Sequence, residues 1–425
     1  MPADTHSTIE KALAINLDEL KYGTIVEIGA GQEVARWFFQ AGAAAGTIAK
    51  TMSAYDTNFS DAIYGADDDG RYVSRARCER MLAQEYDLIV SRIKDSRPKG
   101  SRFFAFANTV AAQGFERRSE CHGWIGIRLQ RAPELEPDDI VVHVRMLDDT
   151  NLEQQDALGI LGVNLIYGAF MHADDPKRLM RGLLDNLKWG RVEIDLVEFS
   201  GPALGYLDNR QMALELVKAS LTPAILFGPD GTALVPAEAL YKKSVLAMRG
   251  AFDPVTDTEI ARFDYAQNRF LAESEIDPER TIHLAEITMK ELVDKRDTDT
   301  ADYLTRIEQL AERGFHVLVS EFFRYFRVRQ YIAHYTGEPV GIVTDVESFR
   351  EVLHEERYAS LDGGILEGLG KLFPQGTTAY VCPVIEKGNV VTLDEMPFDE
   401  NLKPLVGYLR GLGQIVPAND FDPTP

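Results

Sequence analysis

The sequence predicts an α/β protein of two or three domains built on mixed sheets, and three observations predict it. Apolar, β-branched runs of about four to eight residues alternate with longer stretches of helical period, the pattern of layered helices and strands and not of a bundle or sandwich. The 425 residues exceed what one ordinary hydrophobic core holds. Hydrophobic residues make up 45% and charged residues 26%, the balance of a folded chain and not of a disordered or collagenous one.

Residues 1–150 read as an α/β domain. Strands are expected at Thr24 to Ile28, Phe103 to Phe106, Trp124 to Leu129 and Ile140 to Met146, with helices at Glu33 to Gln40 and Arg75 to Ile93. RAPELEPDD leaves no room for a helix between the last two strands, so they form an antiparallel pair and the sheet is mixed. The acidic ADDDG from Ala66 to Gly70 reads as a solvated turn.

Residues 151–250 read as a middle segment: a core helix from Glu153 to Phe170, a helix from Pro176 to Leu187, a strand from Val192 to Phe199 and a helix from Arg210 to Val217 capped by Asp208 or Asn209. Pro229, Asp230 and Gly231 carry hairpin chemistry between two short apolar runs. Lys242 and Lys243 read as a solvated strand edge.

Residues 251–416 read as a second α/β domain, in which strands at Ile282 to Ile287, Val317 to Ser320 and Val340 to Thr344 alternate with helices at Ala301 to Arg313 and Phe323 to Tyr335. Strand, helix and strand in short succession make Rossmann-like βαβ units. Helices at Ser348 to Glu355 and Gly364 to Phe373 and strands near Tyr380 to Ile385 and Val390 to Leu393 complete it, and residues 417–425 are expected to be frayed.

Lys and Arg number 45 against 67 Asp and Glu, a net charge of −22, which opposes general binding to nucleic acid or to an anionic membrane. The three cysteines lie far apart, giving neither a disulfide framework nor a zinc site. The acidic start has no secretory pattern, and ALGILGVNLIYGAFMHA carries Asn164 and His172, which favours a buried helix over a membrane span. A cytoplasmic protein with a small-molecule ligand is the expectation.

The best local signal for that ligand is TIVEIGAGQEVARWF, where a β-branched run leads through Glu27, Gly29 and Gly31 into a helix. Glycines at such a junction let a ligand approach the backbone, and the helix start attracts a phosphate or carboxylate. Asp56 suits a ribose hydroxyl, as the acid after the second strand does in nucleotide-binding βαβ units. Glu27 before Gly-Ala-Gly is also similar to the first motif of methyltransferases that use S-adenosylmethionine. The acidic Glu33 just after the turn, with no third glycine completing the motif, opposes close helix approach and an anionic ligand.

Further residues are candidates for chemistry. Lys50, beside Thr51 and Ser53, is placed to anchor an anion, although the spacing from Gly46 is not that of a phosphate-binding P-loop. Cys121, His122 and Asn108 hold the residue types of a thiol nucleophile, its base and an orienting group, although adjacent strand residues point to opposite faces. A hydrogen-bonded structural role for His122 is the alternative. Arg324 and Arg327, spaced to share a helix face, together with Arg329 suit either an anion or a salt-bridged interface.

VEIGAGQEVARWFFQAG, GTIAKTMSAYD, FSDAIYG, ECHGWIGIR, FSGPA and LDGGILEGLGKLF together resemble a widespread uncharacterised bacterial protein family over nearly the whole chain. Some of its members are labelled nicotinate-nucleotide adenylyltransferase, which implies ATP, magnesium and a mononucleotide substrate. The HxGH-type loop and the serine-rich arginine motif of such enzymes are missing here, so no catalytic residue is carried over. Two readings of function follow. One is an enzyme binding a nucleotide-like ligand, a nucleotide or S-adenosylmethionine, at the Gly-rich turn and performing group transfer. The other is a non-catalytic scaffold that assembles as a homo-oligomer.

Overall fold

In the computed structural model the described residues are 6–67, 70, 72–114, 120–273, 276–289 and 300–424. The fold is mixed α/β, as expected, and the chain divides into two compact units between Thr222 and Pro223. The first unit runs α1 (Thr8–Asn16), β1 (Lys21–Ile28), α2 (Gln32–Ala41), β2 (Ile48–Ser53), α3 (Thr57–Tyr64), α4 (Arg75–Ile93) and β3 (Arg102–Ala111). It continues with β4 (His122–Leu129), β5 (Asp138–Met146), α5 (Asn151–Met171), α6 (Pro176–Arg181), β6 (Val192–Ser200) and α7 (Asn209–Lys218). The sequence expectation omitted α1, β2 and α3.

Its sheet has the order β2-β1-β3-β4-β5-β6, with β2, β1 and β3 parallel and β3 to β6 antiparallel, so β4 and β5 are the expected antiparallel pair. β1 lies inside the sheet and is buried along nearly its whole length, which is why KYGTIVEI lacks a polar alternation. α2 and α5 pack on one face. Gly162 of α5 makes this possible, because a Cβ there would stand 2.5 Å from Cγ2 of Val34 on α2. α4 packs on the other face, with Leu82 against Gly126 of β4.

The apolar α5 carries Asn164 in the core, fully paired: its Oδ1 accepts from Lys11 Nζ at 3.1 Å, and its Nδ2 donates to the carbonyls of Leu183 and Asp185 at 2.9 and 2.7 Å. Lys11, itself buried, also meets the Asp185 carboxylate at 2.6 Å. Among the described residues no helix is long and apolar enough to cross a membrane. The acidic turn before α4 differs from the solvated expectation at Asp67, whose carboxylate accepts from Ser74 Oγ at 2.5 Å and pairs with Arg80, fastening the turn to α4. Asp68 and Asp69 lie outside the described residues.

The second unit runs β7 (Ala224–Phe227), β8 (Ala233–Leu234), α8 (Pro236–Ala239), β9 (Ser244–Arg249), α9 (Asp257–Glu273), β10 (Thr281–Thr288), α10 (Ala301–Ala311), β11 (His316–Ser320) and α11 (Tyr325–Tyr335). It ends with β12 (Val340–Asp345), α12 (Val346–Val352), α13 (Gly364–Leu372), β13 (Thr377–Cys382), β14 (Val384–Glu386), β15 (Asn389–Val391), α14 (Lys403–Gly411) and β16 (Ile415–Pro417). Its sheet has the order β16-β13-β12-β9-β10-β11-β7-β8. The six strands from β16 to β11 are parallel, and β7 and β8 add an antiparallel edge. Counted in chain order from β9, the parallel strands stand 3-2-1-4-5-6, the order of a doubly wound sheet, with its switch point between β9 and β12.

Alternation along β9 divides the two faces: Val245 and Ala247 pack with α11 and α13, while Leu246 meets Gly341 on the face where Phe270 of α9 lies. The expected break near residue 251 would separate β9 from β10 and β12, its neighbours on either side. Residues 417–425, expected to be frayed, are held as far as Phe421. The Ala418 N–H donates to Val381 O at 2.9 Å, and Ala418 and Phe421 are buried against Cys382.

Gly162 and Gly370 give opposite expectations. Gly162→Ala should lower the unfolding free energy in urea by about 1–3 kcal/mol, because the added methyl overpacks the α2–α5 contact. Gly370→Ala on α13, where a Cβ meets nothing within 4 Å, should raise it by about 0.4–1 kcal/mol through the unfolded chain.

Candidate functional site

The parallel strands of the first unit bring three polar side chains into one row at their carboxyl ends. Glu27 near the end of β1 is in register with Ser53 on β2 and with Asn108 on β3. Ser53 Oγ donates to Glu27 Oε1 at 2.6 Å, while Glu27 Oε2 is buried without a hydrogen-bond partner among the described residues. Asn108 is only 1% exposed, yet among the described residues neither its Nδ2 nor its Oδ1 has a partner. A buried amide and half a carboxylate left unsatisfied are costly, and unpaired groups of this kind gather where a structure receives something else.

The Gly-rich turn closes over this row. Gly29 has φ +94° and Gly31 φ +138°, backbone angles that an L side chain rarely adopts. A Cβ on Gly29 would stand 2.0 Å from Val110 O, and one on Gly31 would stand 2.0 Å from Asn108 Nδ2. Both glycines are therefore required to lay the chain against β3. Beyond the turn the Gly31 N–H donates to Gln32 Oε1 at 3.2 Å, and Gln32 Nε2 donates to Tyr55 Oη at 2.8 Å. Tyr55 and Phe59 are exposed aromatic side chains following β2.

Burial pushes the Glu27 carboxyl up from its ordinary value of 4.5 to about 7; the Ser53 hydrogen bond opposes the rise and the charge of Glu33 adds to it. A carboxyl poised near neutrality can accept and return a proton.

Glu27, Gly29, Gly31 and Asn108 thus come together, and Lys50 and Asp56 stand apart from them. Lys50 lies three residues before Ser53, so β2 turns it to the opposite face. There its Nζ meets Glu85 Oε2 of α4 at 2.5 Å, and Tyr64 Oη donates to the other Glu85 oxygen at 2.8 Å. Asp56 caps α3, its Oδ1 accepting the Phe59 N–H at 2.7 Å.

Cys121 and His122 do not pair with each other in the described contacts. The Cys121 sulfur is buried 3.7 Å from Gln113 Oε1. His122 Nδ1 lies 3.0 Å from His143 Nε2, and His143 Nδ1 lies 2.5 Å from Asp195 Oδ1, a row crossing β4, β5 and β6. Strand alternation sends adjacent side chains to opposite faces. Arg324 and Arg327 do not share a helical face either, because Arg324 is the extended residue before α11. Arg329 donates Nε to Thr377 Oγ1 at 2.8 Å.

Sequence reasoning missed the part of Ser53, Gln32 and Tyr55. The available signal was the alternation Ile48, Lys50, Met52 in TIAKTMS, which marks β2 and puts Ser53 on the same face as Glu27 once the strands are paired.

No family model and no curated protein matches the chain. Solved structures that resemble part of it include a competence/damage-inducible protein, CihA, from Agrobacterium tumefaciens, at 15% identity, covering 39% of this chain and 97% of that one with a TM-score of 0.28. A competence-damaged protein (CinA) superfamily protein from Enterobacter cloacae matches at 13% identity, covering 39% and 94% with a TM-score of 0.27. One from Escherichia coli matches at 14% identity, covering 38% and 88% with a TM-score of 0.26. At these scores the likeness carries no argument about what the chain binds or does.

The burial of Glu27 fixes the sign of a pH effect. Between pH about 4.5 and about 7 the folded chain keeps a proton that the unfolded chain releases, so this group's contribution to stability is full below that window and falls as the pH rises through it. Glu27→Gln should therefore gain on the wild type from pH 5 to pH 8, by up to roughly 3 kcal/mol at about 1.36 kcal/mol per pH unit, in paired urea titrations. A pH-independent difference would contradict the burial.

Proposed function

We propose that the first unit binds a nucleotide-like small molecule at the Gly-rich turn, and that Glu27 serves as its proton-exchanging group in a transfer reaction. The observation that carries this reading is the row of unsatisfied buried groups, Glu27 Oε2 with both amide atoms of Asn108, beside the exposed Ser53. An amide offers one donor edge and one acceptor edge, which suits the hydroxyls of a ribose or the edge of a base. Tyr55 and Phe59 supply exposed rings on which a flat base can stack. Glu27 and Glu33 make the turn a poor seat for the phosphate itself, so the sugar or base lies at the row and the charged end points to solvent.

In the transfer, a ligand hydroxyl placed at the row gives its proton to Glu27 as its oxygen bonds to the incoming group. The bond between that group and its leaving atom breaks with the electron pair on the leaving atom, which takes the proton back from Glu27. Ser53 donates to Glu27 Oε1, which leaves Oε2 as the oxygen that takes the ligand's proton.

A thermal-shift series with ATP, NAD, nicotinate mononucleotide and S-adenosylmethionine tests the reading. At a hundredfold excess over the dissociation constant, a true ligand stabilises the native state by about 2.7 kcal/mol. Asn108→Ala should remove that shift while the unfolding midpoint without ligand stays measurable. A shift that survives both Asn108→Ala and Glu27→Gln, or no shift with any of the four, contradicts the proposal.

A further inference from the structure

The second unit contains a cleft of about 520 Å³ that the Gly-rich turn takes no part in. Its walls come from the ends of β9 and β10, from Phe323 to Tyr325 after β11, and from α12 after β12. It therefore spans the switch point of the doubly wound sheet, where diverging connections leave a crevice outside the strand ends. Its volume falls in the range of small-molecule sites.

Four arginines line it, Arg249, Arg306, Arg324 and Arg357, in a chain of net charge −22. They come from different segments, and the structure holds each in place. Arg249 Nε and Nη2 grip the Glu286 carboxylate at 2.5 and 3.1 Å, Nη2 also donates to Phe322 O at 2.5 Å, and the guanidinium stacks 4.8 Å from the Tyr325 ring. Glu286 is 1% exposed and accepts from Ser320 Oγ at 2.5 Å, so the ion pair is anchored from below. Arg306 meets Asp253 at 3.1 Å and also Asp302, and its buried Nε has no acceptor among the described residues. Arg357 pairs with Glu351.

Arg324 differs. Its Nε donates to Arg357 O at 2.9 Å and its Nη1 to Phe323 O at 3.2 Å, so among the described contacts its charge faces main-chain carbonyls and no carboxylate. A guanidinium fixed by carbonyls at a cleft wall, with further arginines around it, matches the planar oxygens of an oxyanion. Tyr303, Phe323 and Tyr358 give the rest of the cleft aromatic walls.

We infer that this cleft is a second ligand site, which takes a small molecule through a phosphate or pyrophosphate group held by Arg324 and Arg249. Arg324 supplies a guanidinium that meets no carboxylate among the described residues, and Glu286 keeps Arg249 oriented toward the same space. The site is independent of the one proposed for the first unit.

Calorimetric titration of the full-length chain with pyrophosphate and with inorganic phosphate tests the inference, with sodium sulfate and citrate as competing anions. Pyrophosphate should bind, more weakly as ionic strength rises. Arg324→Gln should weaken it about ten- to hundredfold, as the loss of a charged hydrogen-bonding partner does, and Arg324→Lys should weaken it less. Glu27→Gln should leave the affinity unchanged, which separates this site from the first unit's. Without any variant, pyrophosphate should protect Arg324 from phenylglyoxal, read by peptide mass spectrometry. The inference is overturned by no heat with pyrophosphate at millimolar concentration, by binding indifferent to Arg324→Gln, by equal binding of sulfate or citrate, or by unprotected Arg324.

Discussion

One carboxyl group out of water governs the first unit. Glu27 lies near the end of an interior parallel strand, and its recorded side-chain hydrogen bond comes from Ser53. A carboxylate in that position is disfavoured against the acid, so the group titrates near neutrality and not as an ordinary surface glutamate. The two glycines that follow are tied to the same constraint. They have no side chain where one would strike Val110 O or Asn108 Nδ2, and the turn they make roofs the row instead of standing away from it. Asn108 pairs with nothing among the described residues although it is almost wholly buried. In a parallel sheet the strand ends gather such groups because each strand's connection leaves on the same side.

The second unit solves a different problem at the same place in its sheet. Its strand ends carry guanidinium groups, and a guanidinium keeps its charge when partly buried where a carboxyl gives it up. Burying Arg249 is tolerable because Glu286, Ser320 and the Phe322 carbonyl engage it, so the pair acts as a fixed arm. The cleft thus gathers four arginines in a chain whose net charge is negative. Composition alone could not reveal this, because a net charge averages over surfaces that never meet the same ligand.

Much of the fold was legible in the sequence. Arg75 to Ile93 form a helix within the expected bounds, and the antiparallel β4–β5 pair and the β7–β8 hairpin follow from their connections. β2 was not legible because AGAAAG before it and the polar, partly buried Lys50 between Ile48 and Met52 mask the apolar alternation. β9 was lost between Lys243 and Gly250, and with it the place of the boundary, since the second sheet is built around that strand. At the candidate site, Glu27, Gly29 and Gly31 could be named because glycine spacing after a strand marks them, whereas Asn108 was named for another role, as the orienting group of Cys121 and His122. Lys50 was misgrouped because its face depends on the register of a strand not yet recognised. Of the arginine cleft only Arg324 stood out in the sequence, as a residue suited to an anion; Arg249, Arg306 and Arg357 join it only through the strand order.

Burial in this row holds the Glu27 carboxyl up near neutrality. Carbon-13 NMR of glutamate side-chain carboxyls, with Glu27 assigned by its loss in Glu27→Gln, measures this directly as the pH is varied. The account predicts a midpoint near 7 for Glu27, well above the ordinary 4.5. A midpoint near 4.5 would mean that water reaches the carboxyl, and the account of the site would be wrong.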